Sequence, residues 1–331
     1  MTGSFQDYVE DVKPLLDAGF TGHLAALLGD VGSLNAYGGA KVLTGGKRIR
    51  GSLVCLVTST LGGALEDALP RATALELIQT ATLIHDDFVD QHERRRDLPA
   101  LWTLEGGRKA VLLGDVVFAS AIQSMSELGR EDGLIISNAI AEVSRGAYQE
   151  PLNPCSLLET LDMDRDGAAF YEKIIYLKTG VLFAAACQLG ALAAKADDRL
   201  RQTWRYYGLK IGEAYQIADD LQEVEQYLIT RSITGSELTS IAPALLFFTR
   251  EIRPHVLEAL RQKSPELRGK FLRLLQSTAE TMKVEIEKRL RLAVSDIEAC
   301  LPNTEYGQLA RRTPWDIIRM FNEVRTTASL P

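Results

Sequence analysis

The chain has 331 residues, of which 46% are hydrophobic and 24% charged, and its 37 basic and 44 acidic side chains give a net charge of −7. This is the composition of an ordinary globular protein, which argues against disordered, collagen-like and low-complexity sequence. The acidic balance argues against a general nucleic-acid binder, because such proteins draw most of their affinity from Lys and Arg side chains on phosphates.

The cysteines and the apolar runs together favour a cytoplasmic protein. The four cysteines are scattered and form no CxxC pair, so we expect reduced thiols and no structural zinc site. The first residues, MTGSFQDYVEDVK, lack the basic and then apolar pattern of a secretory signal. The longest apolar runs, such as residues 241–248, are much shorter than the roughly 20 residues of a membrane span. We therefore expect a soluble, cytoplasmic protein with no membrane span.

Helical periodicity is the main pattern along the chain. Apolar side chains recur every three or four residues, and alternating β-branched runs with hairpin turns are missing. No linker rich in Pro, Gly and Ser divides the periodic stretches, so the sequence predicts a single all-α domain over residues 1–331. Its helices are expected around residues 8–28, 70–90, 110–128, 134–148, 168–194, 199–226, 241–262, 266–298 and 306–325.

Two of these stretches are apolar nearly all round. They are residues 180–194 (GVLFAAACQLGALAA) and residues 75–84. A helix without a polar face lies in a core or faces a partner subunit. A two-layer helical bundle and a dimer interface would each explain the pattern.

An acidic triplet ends the second of the predicted helices. Within TLIHDDFVD, Asp86, Asp87 and Asp90 fall at about 0°, 100° and 40° around a helix, so their carboxylates share one face. Three like charges beside an apolar stretch repel one another unless something neutralises them, and a hard divalent cation prefers carboxylate oxygens. A solvated acidic helix end explains a single triplet equally well.

A second cluster strengthens the metal hypothesis. Asp219, Asp220 and Glu223 in YQIADDLQE repeat the spacing, again after an apolar helix. Two such clusters can face each other across a cavity and hold a small group of Mg²⁺ ions around a diphosphate.

Basic motifs alternate with the acidic ones. They are GGKRIR at 45–50, Arg94–Arg96 and Lys178-Thr179. Arginine forks suit phosphate oxygens, and lysine serves as a point charge. Each motif alone is also typical of a solvated surface, but their alternation with two acidic clusters in one apolar bundle favours a diphosphate site.

The combined motifs resemble those of the trans-prenyl diphosphate synthases, or polyprenyl synthetases, over roughly residues 40–245. The matching segments are GGKRIRG at 45–51, QTATLIHDDFVDQHERRRDLP at 79–99, GD at 114–115, KTG at 178–180 and YQIADDLQE at 215–223. Residues 79–99 are most similar to bacterial long-chain and geranylgeranyl synthases. The resemblance implies a helical bundle of the isoprenoid synthase type with a central active-site cavity, and a homodimer.

The resemblance also implies roles for individual residues. Three Mg²⁺ ions would hold an allylic diphosphate through Asp86, Asp90 and Asp219, supported by Asp87, Asp220 and Glu223. The same diphosphate would be held by Arg95 and Lys178, which with Asp86, Asp90 and Asp219 form the implied catalytic group. Isopentenyl diphosphate would be held by Lys47, Arg50, Gln79 and Arg96, with a less defined role for Arg48, while Thr179, Tyr215 and Gln216 would line the cavity. Arg94 is an additional arginine before the family's Arg pair.

The implied reaction has three steps. The allylic C–O bond ionises as diphosphate leaves, the double bond of isopentenyl diphosphate attacks the resulting cation, and a proton is lost, with the released diphosphate as the base. A dry cavity keeps water from the cation.

The chain departs from the family pattern in four places. Glu223 stands where Asp is usual, and Gly51 stands where Pro is usual. The segment after the second cluster, VEQYLITRSITGSEL, is shorter and lacks the lysine that touches the allylic diphosphate, with only Arg231 near its place. Arg and Lys are not interchangeable, so the replacement of that lysine by Arg231 is a hypothesis. The connection at 150–170 is longer than usual.

Small residues one turn before the first triplet predict a long product. In the family, aromatic side chains at the positions of Ala81 and Thr82 form the bottom of the cavity and stop chain growth. Their absence here predicts an all-trans product of C20 or longer. Deeper obstruction would come from Ile78 or from Phe118, Ile122 and Met125, although these three are equally well explained as ordinary core.

Two alternatives to a chain-elongating synthase remain open at this stage. A terpene cyclase shares the bundle and the first motif, but it usually carries an Asn/Ser/Glu triad and lacks a site for isopentenyl diphosphate. A non-catalytic or regulatory subunit of a heteromeric synthase typically loses the first aspartate motif, which is intact here. The altered segment at 224–237 keeps this second alternative open.

Overall fold

A computed structural model shows an almost wholly helical chain and describes residues 3–28, 43–96, 98–149, 167–261 and 269–328. The prediction of an all-α fold is confirmed. The helices are α1 (Phe5–Leu28), α2 (Ile49–Thr60), α3 (Leu65–Val89), α4 (Leu101–Glu105), α5 (Gly107–Leu128), α6 (Arg130–Gln149), α7 (Gly167–Ile175), α8 (Val181–Ala193), α9 (Asp198–Thr230), α10 (Gly235–Phe248), α11 (Arg253–Arg261), α12 (Gly269–Ile297) and α13 (Glu305–Ala328). A π-helical turn covers Tyr176–Gly180, and 3₁₀ turns cover Arg250–Ile252 and Glu298–Cys300.

The chain forms two compact units. The first comprises Met1–Ser144, Val181–Leu209 and Ala293–Pro331, and the second comprises Arg145–Gly180 and Lys210–Leu292. The single domain expected from the sequence stays a prediction.

Helix α3 is central to the first unit. It packs against α1, α2, α5 and α8. Helix α8 is buried along nearly its whole length, as are residues 74–78 of α3. They overlap the two stretches, residues 180–194 and 75–84, that the sequence shows to be apolar nearly all round, and these parts of them lie in the core of the described chain.

The second unit is held by aromatic and ionic contacts. Tyr171 on α7 lies 4.9 Å, between ring centroids, from Phe247 and 5.6 Å from Phe248 on α10. The buried Arg289 on α12 pairs with Glu213 on α9 and with Glu172 on α7. A buried arginine needs such partners because its charge cannot be left unpaired away from water.

The structure differs from the predicted elements at several points. Helix α2 was not among the predicted stretches, because burial on all sides leaves it no polar face and hence no periodicity. The predicted helix at 168–194 is interrupted by the π-helical turn, and the one at 241–262 breaks at Thr249, whose backbone is extended at φ −146°. A two-residue hairpin, β1 (Arg94–Arg95) with β2 (Leu98–Pro99), adds a short antiparallel pair.

Two helical stretches of the described chain are long and apolar enough to cross a membrane. They are Gly107–Leu128, whose apolar window is 22% buried, and Ala169–Ala193, whose window is 78% buried. Length and composition are weak evidence, because the core helix of a soluble protein passes the same test.

Candidate active site

The first aspartate cluster lies where α3 ends. Asp90 is the residue that caps the helix, and its backbone N–H donates to the Asp86 carbonyl at 2.8 Å. Asp86 is half-buried and Asp90 is exposed, whereas Asp87 is buried. The helical spacing therefore leaves two of the three carboxylates near solvent and turns the third inward.

Arg95 holds the buried carboxylate. Its Nε donates to both oxygens of Asp87, at 2.8 Å and 2.7 Å, and its Nη2 lies 2.6 Å from Oδ1. A charge-assisted contact of this kind is among the stronger polar contacts in proteins. The hairpin formed by β1 and β2 thus brings the first arginine of the family's pair onto the aspartate cluster.

Two glycines on α5 fix the end of α3. A Cβ on Gly114 would lie 2.2 Å from Nε2 of His85, and a Cβ on Gly107 would lie 2.2 Å from the ring of Phe88. His85 Nε2 donates to the carbonyl of Val111 at 3.0 Å. Since real Cβ atoms do not approach so closely, only glycine allows these two rings, which flank the acidic pair, to lie against α5. This explains the glycine of the GD motif at 114–115.

Two arginines lie beside the glycine turn that precedes α2. A Cβ built on Gly46 would lie 3.4 Å from Arg48 Nη1 and 3.8 Å from Arg96 Nη1, so both guanidinium groups border the glycine turn. Partial burial, together with the neighbouring cations Arg95 and Arg48, lowers the pKa of Arg96. The two guanidinium groups place positive charge beside the glycine turn, and positive charge favours an anion.

The other residues predicted to hold isopentenyl diphosphate belong to the same unit. Lys47 Nζ donates to the Met320 carbonyl of α13 at 2.9 Å. The guanidinium of Arg50 lies 4.6 Å from the centroid of the Phe183 ring. Gln79 is half-buried on α3.

The second aspartate cluster lies on α9 and joins a hydrogen-bonded chain. Thr179 Oγ1 donates to Gln216 Oε1 at 2.6 Å, and Gln216 Nε2 donates to Asp220 Oδ1 at 3.1 Å. The hydroxyl of Tyr171 donates to Asp220 Oδ2 at 2.6 Å. Both oxygens of Asp220 are therefore held, and the chain reaches from the KTG motif to the DDxxE motif.

Burial raises the pKa of Asp220 to about 7, and the charge of Asp219 adds to this rise. The hydrogen bonds from Tyr171 and Gln216 and the charge of Lys178 act in the opposite direction. Burial therefore disfavours the ionised form of this carboxyl. A cation placed beside it would favour the ionised form.

The KTG motif lies on the π-helical turn between α7 and α8. Lys178 is exposed there and Thr179 is buried. The wider turn breaks the regular helical spacing, and turns of this kind occur frequently at functional sites.

The donor types fit a hard divalent cation. Asp86, Asp90 and Asp219 offer carboxylate oxygens, and each is at least partly accessible. Within the ranges that the structure describes, no group of three or more His, Cys, Asp or Glu side chains lies close enough to hold a metal by itself. Mg²⁺ commonly takes one or two carboxylates and completes its shell with water and substrate phosphates, so this arrangement suits it.

The remaining predicted residues lie in both units. Glu223 is half-buried and accepts a hydrogen bond from the Tyr227 hydroxyl at 3.4 Å. Tyr215 is half-buried, and Arg94 is exposed. Arg231 follows α9 with a positive φ of 54° and is exposed.

The residues predicted to set product length are well enclosed. Ala81 is fully buried, and Thr82 is buried with its Oγ1 donating to the Gln79 carbonyl at 2.8 Å. Most of the long connection at 150–170 lies outside the described residues, as does Cys155.

The structure groups the predicted residues within each unit. The first unit brings together the glycine turn at 45–51, the first aspartate cluster and the arginines of the hairpin. The second brings together the KTG motif and the second aspartate cluster. The expected opposition of the two clusters across a cavity concerns both units and stays a prediction.

Sequence reasoning missed Tyr171, His85 and Glu76, which all contact the motifs. Tyr171 and Glu76 are buried polar groups in apolar stretches, and such groups need partners. That rule could have indicated that each has a partner. It could not have named Asp220 or Arg48, because those partners are distant in sequence.

Comparison with known proteins decides the family. The sequence profile described as "Polyprenyl synthetase" matches residues 34–231. The chain belongs to the polyprenyl synthetase family. The relatives of this family member include the short chain isoprenyl diphosphate synthase of Methanothermobacter thermautotrophicus, 31% identical over 74% of this chain and 72% of that protein. The octaprenyl diphosphate synthase of Escherichia coli is 31% identical over 64% of this chain and 65% of that one.

Solved structures share the fold of this synthetase. A polyprenyl synthase from Caulobacter crescentus, complexed with calcium and isoprenyl diphosphate, aligns over 96% of this chain and 98% of its own with a TM-score of 0.73 at 23% identity. A geranylgeranyl pyrophosphate synthetase from Pyrococcus horikoshii aligns over 95% and 98% with a TM-score of 0.74 at 20% identity. The all-α isoprenoid synthase fold is thereby confirmed, and the relatives show that the chain is a trans-prenyl diphosphate synthase, a transferase of isoprenoid synthesis.

Proposed function

We propose that this synthase condenses isopentenyl diphosphate with an allylic diphosphate in a Mg²⁺-dependent reaction, giving an all-trans product of C20 or longer. The observation that carries the proposal is the end of α3. There Asp86 and Asp90 reach solvent, while Asp87 is neutralised by Arg95, and Arg96 directly follows Arg95 in the chain. Hard oxygen ligands and guanidinium groups at one helix end are the chemistry that a metal-bound diphosphate requires.

The allylic diphosphate is assigned to residues of both aspartate clusters. Asp86, Asp90 and Asp219 would hold the cations, three in number by family resemblance, with Arg95 and Lys178 on the phosphate oxygens. Bound Mg²⁺ supplies Lewis-acid stabilisation of the charge that develops on the departing diphosphate. The calcium and isoprenyl diphosphate of the Caulobacter structure support a divalent cation and a diphosphate ligand for this fold.

Isopentenyl diphosphate is assigned to Lys47, Arg50, Gln79 and Arg96. These residues orient its double bond toward the allylic carbon, and orientation is a large part of the rate in a two-substrate reaction. The allylic C–O bond breaks, a carbon–carbon bond forms, and one proton passes to the released diphosphate. The buried chain from Thr179 to Asp220 keeps Gln216 fixed while the reaction proceeds.

A product of C20 or longer is supported by the small side chains at Ala81 and Thr82. The names of the relatives include a geranylfarnesyl synthase of Methanosarcina mazei and the Escherichia coli octaprenyl synthase, so longer products occur among similar sequences. A product length suited to a quinone side chain is favoured by the likeness of residues 79–99 to long-chain synthases.

We infer a homodimer in the cytoplasm, with no membrane span. The homodimer is supported by two exposed apolar side chains on α5: Leu112 is 53% exposed, and Val116, one turn later, is 44% exposed. These residues explain why α5 passes the length and composition test for a span, and a partner helix would cover them as well as lipid would.

The proposal is tested with purified protein, Mg²⁺, labelled isopentenyl diphosphate and a series of allylic primers. Chromatography of the dephosphorylated products should show linear chains of at least 20 carbons, and chelation of the metal should stop their formation. A product of 15 carbons or fewer contradicts the proposed length. A cyclic hydrocarbon contradicts chain elongation itself.

Absence of turnover by the purified chain would support the alternative of one subunit in a heteromeric synthase. One relative is a reason to consider this alternative. It comes from Geobacillus stearothermophilus, is 35% identical over 54% of this chain, and is named component 2 of a heptaprenyl diphosphate synthase. Activity in a preparation containing this chain alone removes that alternative.

A further inference from the structure

The turn before α2 contains a buried arginine whose side chain is taken up by protein contacts. Arg48 is 2% exposed. Its Nε donates to Asp17 Oδ1 of α1 at 2.7 Å, and its Nη2 donates to the Thr44 carbonyl at 2.8 Å. Its guanidinium carbon lies 4.1 Å from the centroid of the Phe20 ring. The desolvated charge is therefore paired within the protein on several sides.

Glu76 ties the same turn to α3. Its Oε1 accepts the backbone N–H of Gly51 at 2.8 Å, and its Oε2 lies 3.5 Å from Arg48 Nη1. Proline, which usually follows this motif in the family, has no N–H, so glycine at this position adds a bond that proline could not make. Gln79 follows Glu76 by three residues and so lies about one helical turn further along α3.

The backbone of Arg48 requires this support. Its φ of 55° and ψ of 30° lie in the left-handed region, which side chains other than Gly, Asn and Asp seldom adopt. Such a conformation persists only where surrounding contacts impose it. On either side of it the chain directs Lys47 to α13 and Arg50 to the Phe183 ring of α8.

We propose that Arg48 is a positioning residue for the isopentenyl diphosphate site. It does not touch the diphosphate. Through Asp17 and Glu76 it holds the turn that carries Lys47 and Arg50 in register with Gln79 on α3. This inference rests on the proposed function of those three residues.

Asp17→Asn separates positioning from direct contact. If Arg48 bound the diphosphate, removing the competing carboxylate would leave isopentenyl diphosphate affinity unchanged or improve it. If Arg48 positions the turn, the loss of its anchor raises the KM for isopentenyl diphosphate about tenfold or more, because small displacements of binding groups are costly. The KM for the allylic primer should stay within about twofold of wild type, a shift too small to mark a lost contact.

Arg48→Lys is the second variant, and Arg71→Lys is its matched control. Arg71 also lies in the first unit, on α3, and pairs with the buried Asp132 through Nε at 2.7 Å and Nη2 at 3.1 Å. Both substitutions replace a fork with a point charge in a shielded ion pair, so both should lower Tm. Only Arg48→Lys should raise the KM for isopentenyl diphosphate, and Glu76→Ala should resemble it.

Calorimetric titration of each folded variant with isopentenyl diphosphate, without primer, gives a readout independent of turnover. Weaker binding by Asp17→Asn and Arg48→Lys, with wild-type binding by Arg71→Lys, is the expected result. Equal or tighter binding by Asp17→Asn would overturn the positioning role. Failure of the wild-type chain to bind isopentenyl diphosphate would instead overturn the proposed function.

Discussion

At the residue scale, the two aspartate clusters differ in how their side chains are occupied. In the first, Asp87 is fixed by Arg95, and Asp86 and Asp90 reach solvent. In the second, Asp220 is fixed by neutral donors, the Tyr171 hydroxyl and the Gln216 amide. Asp87 is thus held by a charged group and Asp220 by neutral ones, and contacts of this kind fix the orientation of carboxylates beside the predicted metal ligands.

Asp86→Ala should lower kcat by about 10²–10³-fold. The variant loses one ligand of the cations that stabilise the charge on the departing diphosphate. The fold should persist, because Asp86 is half-buried at the end of α3 and not part of the packed core. Steady-state kinetics and thermal unfolding measure the two effects. Asp11→Ala, at an exposed carboxylate on α1, is the control and should keep wild-type kinetics. Wild-type activity in Asp86→Ala would contradict the site assignment.

Tyr171→Phe should raise the Mg²⁺ concentration for half-maximal activity about tenfold, the usual cost of removing a group that orients a metal ligand. It should also cost about 1 kcal/mol of stability for one lost hydrogen bond. The matched control is Tyr207→Phe, since the buried Tyr207 hydroxyl donates to the Ala310 carbonyl at 2.7 Å in the first unit. The control should lose similar stability and keep its Mg²⁺ requirement. Equal Mg²⁺ curves for both variants would show that Tyr171 does not orient Asp220.

At the element scale, the register of α3 against α5 places the first aspartate cluster. Gly107 and Gly114 are seven residues apart, so they lie two turns apart on one face of α5 and receive Phe88 and His85. The acidic pair lies between those two rings in the sequence. The contact between the helices therefore decides in which direction the carboxylates point.

Gly114→Ala should destabilise the protein by about 1–3 kcal/mol, because the new methyl group overlaps the His85 ring. It should also lower kcat, since His85 precedes Asp86. Urea unfolding and kinetics measure both effects. Gly22→Ala is the control: its Cβ meets nothing within 4 Å on α1, so it should stabilise the protein by about 0.4–1 kcal/mol. If Gly114→Ala is destabilised but keeps the wild-type kcat, the contact between Gly114 and His85 does not position the site.

Ala81→Phe tests the course of the growing chain along α3. A ring at this fully buried position should fill space that later isoprene units need and shorten the product toward C15. Overpacking costs about 1–3 kcal/mol, so product length must be measured on protein that is still folded. Ala72→Phe, nine residues earlier on α3 and also fully buried, is the control for overpacking. If both variants keep the wild-type product distribution, the cavity does not pass Ala81.

At the scale of the whole molecule, the exposed apolar face of α5 is the feature that a single chain does not explain. Leu112 and Val116 lie four residues apart on one face and are about half exposed. Isolated exposed apolar side chains need no explanation, but two neighbouring ones on one face of a helix favour an interface. This is the basis of the proposed homodimer.

Val116→Glu should convert the dimer to a monomer, because a carboxylate in an apolar interface is left without a partner. Sedimentation or light scattering over a range of concentrations measures the change. Val284→Glu is the matched control, since Val284 is 69% exposed on α12 and should leave the assembly unchanged. A wild-type chain that is monomeric at micromolar concentration would contradict the dimer directly.

The sequence by itself determined the fold class, the family motifs and most helix positions. Long periodic stretches such as those of α9 and α12 are local patterns, because one polar and one apolar face repeat along the chain. The aspartate spacing is local too, since Asp86 and Asp90, four residues apart, share a face of a helix, whereas Asp87, one residue after Asp86, is turned inward.

Only the tertiary structure decided which charges pair and which remain near solvent. The sequence assigned Arg48 to substrate and gave Tyr171 no role, yet the structure pairs Arg48 with Asp17 and Tyr171 with Asp220. It also revealed α2, whose burial on all sides leaves no periodic signal. These contacts join residues 31 and 49 positions apart, and helix packing rather than local spacing brings such residues together.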